Sequence, residues 1–155
     1  MYIAIVVLTM FVLPAASIFC DLALHPTASI ISLVGRWFVF WGVGVRLGLA
    51  GLRQFLQPSF TARDIFGMTS DEALPLVREL GVANFATAIV GLLSLAIPSF
   101  TLPIAISAGI FYGAAGVRHL ATRSRSLNEN VAMLSDLFLF AVLTAFVLAE
   151  AISRR

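Results

Sequence analysis

Seven polar side chains stand out in a chain that has little water-facing surface to offer them: Arg46, Arg53, Glu79, Asn84, Arg118, His119 and Asp136. Arginine grips carboxylate or phosphate through a planar fork of N–H donors, and a carboxylate or imidazole can pass protons. The set has the chemistry of a pocket in which arginines bind an anionic or polar head group while Glu79 and His119 handle protons. The competing reading is structural: the charges clamp one another and fix helix order. Nucleophilic catalysis has little support, since Ser94, Ser107 and Ser135 lack any readable His/Asp pairing. With only His25, His119 and a single Cys20, no closed zinc site can be written, lone histidines read as packing residues rather than haem ligands, and no cofactor or metal is expected.

What must position these groups follows from the solvent the chain prefers. Of 155 residues 60% are hydrophobic and 12% charged, and the mean hydropathy is +1.01, far outside soluble globular usage. The ten cations are all arginines, scattered without a run that could track a phosphate backbone, so nucleic acid is not an expected partner. The expected fold is an all-α, integral membrane helical bundle forming one domain over 1–155. Its helices are expected at about 2–19, 29–55, 71–97, 102–121 and 127–152, each able to cross roughly 30 Å of hydrocarbon. Strict period-two alternation is absent, which argues against a β-barrel. The first stretch resembles a signal peptide only superficially: no Lys or Arg precedes it, it is long, and Phe19 before Cys20 spoils a lipoprotein cleavage site.

The connections carry their own signals. Pro26 ends any helix in the segment from Asp21 to Ala28, and Pro98 to Thr101 reads as a tight turn that makes the third and fourth helices an antiparallel hairpin. Within an interfacial loop over 56–70, Thr61-Ala-Arg-Asp64 reads as the cap of a short helix carrying Phe60, Ile65 and Phe66. Ser70 with Asp71 and Glu72 should cap the third helix, which is expected to bend at Pro75; Ser126-Leu-Asn-Glu129 has the capping-box pattern for the fifth. Five spans put the N-terminus and the 56–77 and 122–130 loops on one side, the loop side. Arg53, Arg63, Arg78, Arg118, Arg123 and Arg125 lie near it, against Arg36, Arg154 and Arg155 opposite, which makes the loop side cytoplasmic by the positive-inside rule.

On the second helix Arg36, Arg46 and Arg53 fall within a sector of roughly 100°, with Gly44, Gly48 and Gly51 opposite. The glycine stripe would let another helix approach closely, within the protomer or across a dimer. At about 1.5 Å per residue Arg46 lies roughly 13 Å from the loop-side end, with Asn84 and Asp136 near 8 to 10 Å. A lone charge at that depth needs a partner, so Arg46 should pair with Asp136 or Glu79, and Arg36 with Glu150 at the opposite end. Trp37, Phe38, Phe40 and Trp41 read as an interfacial belt or lipid packing. Gly48-Leu-Ala-Gly-Leu-Arg-Gln-Phe55 and Gly113-Ala-Ala-Gly-Val-Arg-His-Leu120 share a pattern and end the second and fourth helices, which fits parallel repeats of a two-helix unit as well as it fits chance in Gly/Ala-rich helices.

Trp37-Phe-Val-Phe-Trp-Gly-Val-Gly-Val-Arg46 with Gly51-Leu-Arg-Gln-Phe55, Ala62-Arg-Asp-Ile-Phe-Gly67, Glu79-Leu-Gly-Val-Ala-Asn84, Gly109-Ile-Phe-Tyr-Gly-Ala-Ala-Gly116 with His119, and Asn130-Val-Ala-Met-Leu-Ser-Asp136 carry a resemblance that covers most of the chain. On these residues the chain resembles an uncharacterised prokaryotic family, domain of unknown function 6790, distantly similar in layout to DoxX-like four-helix membrane proteins. The resemblance implies a small multi-pass membrane protein and no activity, and adds weight to Glu79, Asn84 and His119 as a shared polar set. The first reading is an accessory or scaffold component of the prokaryotic inner membrane, with lipids and a second copy or another membrane protein as partners. The alternative is a binding protein or small transporter for an anionic or lipid-like molecule; an intramembrane enzyme comes last.

Overall fold

In hydrocarbon the backbone has only itself to hydrogen-bond, and helices satisfy it segment by segment. The computed structural model describes residues 2–121 and 126–153. Five helices in it are long and apolar enough to cross a membrane: α1 Tyr2–Leu24, α2 Ile30–Leu56, α3 Asp71–Leu93, α4 Pro98–Ala121 and α5 Leu127–Ser153. The architecture is all-α, with no strand among the described residues. Arg123, Arg125, Arg154 and Arg155, counted in the charge bias, lie outside the described residues.

The helix ends follow local chemistry. α1 runs past Phe19 to Leu24, because Asp21 is held inside it: its carboxylate accepts the Trp37 indole N–H at 2.8 Å and meets Arg36 at 3.4 Å. Trp41 donates to Ser17 at 3.0 Å, so the aromatic cluster at the start of α2 fastens α1 to α2. Midway along its length α2 widens into π-type turns over Val39–Leu47. Pro58, rather than Thr61, starts the short loop helix over 58–65, and Thr61 is buried within it. Ser70 Oγ accepts the Glu72 N–H at 3.2 Å, and a single 3₁₀ turn leads into regular helix from Leu74. Pro75 therefore stands in a first helical turn, where its missing N–H costs nothing, instead of bending a helix interior. α3 stops at Leu93 because Pro98 drives Ile97 out of helical geometry, and a 3₁₀ turn at Pro98–Phe100 opens α4.

Two tightly packed arms result, α2 on α3 and α4 on α5, with α1 laid across α2 and α5. The turn at 94–100 makes α3 and α4 antiparallel neighbours in sequence, yet each packs chiefly against another helix. The glycine stripe is used inside the protomer. A methyl at Gly51 would stand 2.7 Å from the Gly81 carbonyl oxygen, and one at Gly44 2.9 Å from the Leu92 amide nitrogen. Only glycine lets the α2 and α3 backbones come this close. Met10, Val39, Val43, Leu139 and Leu143, all at 0% exposure, form the centre of the bundle. Phe19, Ile110, Val117, Leu120 and Leu148 point outward, as residues solvated by acyl chains do.

Candidate functional site

The loop-side half of the bundle holds a cavity of about 370 Å³ between the two arms, and the polar residues of the spans converge on it. Arg46, from the π-type stretch of α2, donates through Nη2 to Asp136 Oδ1 at 2.9 Å and to Ser135 Oγ at 2.6 Å, both on α5. The Arg46 and Asp136 side chains are each only 11% exposed. Ser135 in turn donates to the Ala132 carbonyl at 2.9 Å. The Tyr112 ring lies 5.3 Å from the guanidinium carbon, and its hydroxyl donates to the Gly42 carbonyl at 2.9 Å, joining α4 to the widened turns of α2. One guanidinium thus links α2, α4 and α5.

Nearer the loop side the two arms repeat a pattern. Arg53 stacks on Phe60 with its guanidinium carbon 3.4 Å from the ring centre, and Arg118 stacks on Phe66 at 4.1 Å. Both rings belong to the segment that crosses beneath the cavity. The next residue in each arm is buried and bonded: Asn84 donates to Gln54 at 2.8 Å on the α2–α3 side, and His119 Nδ1 lies 3.3 Å from Glu129 Oε1 on the α4–α5 side. No fully buried side-chain polar atom lacks a partner among the described residues, as hydrocarbon burial demands.

Arg46, Arg53, Asn84, Arg118, His119 and Asp136 therefore all line the same cavity. Glu79 does not. α3 faces α2 through Gly81, Asn84, Ala88 and Gly91, and Glu79, two residues and roughly 200° from Gly81, is turned outward and exposed. Of the two partners expected for Arg46, the structure supplies Asp136. Arg36 and Glu150 border a second cavity of about 320 Å³ at the opposite end, but the ion pair of Arg36 is with Asp21. The helical extension past Phe19 is what brings that carboxylate within reach.

Five participants escaped the sequence reading. Glu129 was expected in a capping box, and its N–H does donate to Ser126 Oγ at 3.1 Å, but its carboxylate turns inward to His119. Gln54 could have been found from the internal repeat, where it aligns with His119. Ser135 sits next to Asp136 and shares its guanidinium. Tyr112 carries no signal beyond its place among small residues, and Tyr2, at the cavity wall, none beyond its aromatic type.

Chemically, the arrangement offers three arginines and an amide pair around mainly apolar walls, including Leu47, Ala50, Phe111 and Ala115. It suits a molecule with an anionic head and an apolar remainder. Among the described residues no group of His, Cys, Asp and Glu could hold a metal ion. Neither the curated proteins nor the solved structures contain a match to the chain. The model of a family of unknown function, DUF6790, matches residues 4–154, nearly the whole chain, and the protein belongs to that family.

Proposed function

We propose that this protein is a membrane-embedded binding protein for an anionic, lipid-like molecule, held between its two helical arms in the cytoplasmic half of a prokaryotic inner membrane. The observation that carries the reading is the cavity of about 370 Å³ shared by Arg46, Arg53 and Arg118. A scaffold whose charges served only as clamps would gain by closing this space, since packed side chains recover dispersion energy that a void forfeits. The excess of loop-side arginines supports the cytoplasmic orientation, and the exposed apolar surface supports surrounding lipids as contacts.

Thermal unfolding of the purified protein in a neutral maltoside detergent tests this. Added phosphatidylglycerol or palmitate should raise the transition temperature, as binding to the folded state alone stabilises by about 2.7 kcal/mol at a hundredfold excess over Kd. Phosphatidylcholine should do much less. Equal effects from anionic and zwitterionic amphiphiles would return the scaffold reading to first place.

A further inference from the structure

Resting on the binding reading above, we infer that Arg53 is the residue that anchors the anionic head, and that the ligand is a membrane lipid entering sideways from the bilayer between α3 and α4. The three cavity arginines are not equivalent. Arg46 is already neutralised by Asp136 and bonded to Ser135, so an arriving anion would have to compete with a buried carboxylate. Arg118 is exposed at the rim. Arg53 is half-buried on the cavity wall, and among the described residues no carboxylate lies within ion-pair distance of it. Its one close aromatic partner, the Phe60 face, covers the flat side of the guanidinium and leaves the N–H edge open. A cation in mainly apolar surroundings without a counter-charge is costly, and a phosphate or carboxylate supplies the missing charge in a geometry the guanidinium fork fits.

The walls decide where that anion comes from. Toward the loop side the cavity is floored by Phe60, Thr61, Ile65 and Phe66, with both arginine–aromatic stacks acting as clasps. Toward α1 and α5 it is closed by Tyr2, Val6 and Ala132. Toward α3 and α4, which pack chiefly on other helices, Leu80, Ala114 and Ala115 line the cavity beside Asn84 and Phe111, and Ala114 is exposed to the outside of the bundle. The small side chains of Ala114 and Ala115 on this wall would let an acyl chain pass while the head stays beside Arg53. An apolar remainder would find its solvent just outside.

Native mass spectrometry of the full-length protein, titrated with phosphatidylglycerol, phosphatidylcholine and glycerol phosphate, tests both halves, with thermal unfolding to verify that each variant folds. Wild type should retain phosphatidylglycerol in preference to phosphatidylcholine. Arg53→Gln should weaken that retention by about tenfold or more, the loss of a charge-assisted pair, and Arg53→Lys should restore part of it. Ala114→Trp, on an exposed position, should block phosphatidylglycerol uptake. Retention unchanged in Arg53→Gln but lost in Arg118→Gln refutes the anchor and leaves the binding reading standing. Full uptake by Ala114→Trp, or glycerol phosphate binding as tightly as phosphatidylglycerol, refutes the sideways entry of a lipid. A wild type that retains none of the three probes overturns the binding reading together with this inference.

Discussion

In the α2–α3 and α4–α5 arms, α2 and α4 end on the loop side with a similar sequence pattern, and the two arms pack by different means. In α2–α3 glycine meets backbone: Gly51 against Gly81, and Gly44 against Gly91 and Leu92. In α4–α5 glycine receives a side chain: Gly113 lies under the Phe140 ring and Gly116 under Leu137. The polar residue one step beyond the shared arginine differs in the same sense, a neutral amide pair in one arm and an imidazole with a carboxylate in the other. Backbone contact is rigid and tolerates no volume, whereas a side-chain knob can turn. The first arm is therefore the fixed frame, and the second is the adaptable wall of the cavity.

The largest effect should come from severing the bond between the arms. Arg46→Leu leaves Asp136 buried without its partner, and loss of one member of a buried pair costs about 3–5 kcal/mol. Asp136→Asn should be comparable, and the double variant should recover part of the loss in thermal unfolding in detergent. Additive losses would mean that the two side chains, 2.9 Å apart, do not act as a pair. Next comes the frame itself. Gly51→Ala puts a methyl against the Gly81 carbonyl and the Phe85 amide, and should cost about 2–3 kcal/mol of overpacking. In the other arm, Gly113→Ala meets the Phe140 ring first, which can tilt away, and alanine returns about 1 kcal/mol of helix propensity. A loss of about 1 kcal/mol or less is expected there. Equal losses at the two positions would erase the distinction between frame and wall.

The contrast also shows which features a sequence can carry. The five-helix membrane fold was readable because hydrocarbon thickness writes itself as run length, and proline writes helix ends. Depth narrowed the partner of Arg46 to Asp136 or Glu79, since few groups of opposite sign lie at compatible distance from the loop side. Glu79 satisfied the same depth argument and failed on azimuth. Which face of α3 meets α2 is set by Gly81, Ala88 and Gly91, partners whose role appears only once the helices are docked. The inward turn of Glu129 was hidden because a capping pattern already accounted for it. Arg36 was paired with the wrong carboxylate because Asp21 was assigned to a loop. Run length locates a span, but a proline several residues further on decides where its helix ends.

The smaller effects concern the polar pair in each arm. Asn84→Leu strands the buried Gln54 carbonyl, and an unsatisfied buried partner costs about 1–3 kcal/mol; adding Gln54→Leu should recover most of it, because two apolar groups leave nothing unpaired. His119→Gln is the mildest and most pointed change, since it writes the α2 residue into α4. A glutamine amide can donate to the Glu129 carboxylate, which the imidazole nitrogen approaches to 3.3 Å, and it forgoes the contact of the ring with Phe66, whose centre lies 6.2 Å away. If the two arms are versions of one unit, the melting transition should shift by about 1 kcal/mol or less, since the polar partnership is kept and one weak aromatic contact is lost. A loss above about 3 kcal/mol would show that the imidazole does something an amide cannot. The match between Gln54 and His119 would then be a coincidence of two glycine-rich helices rather than a shared design.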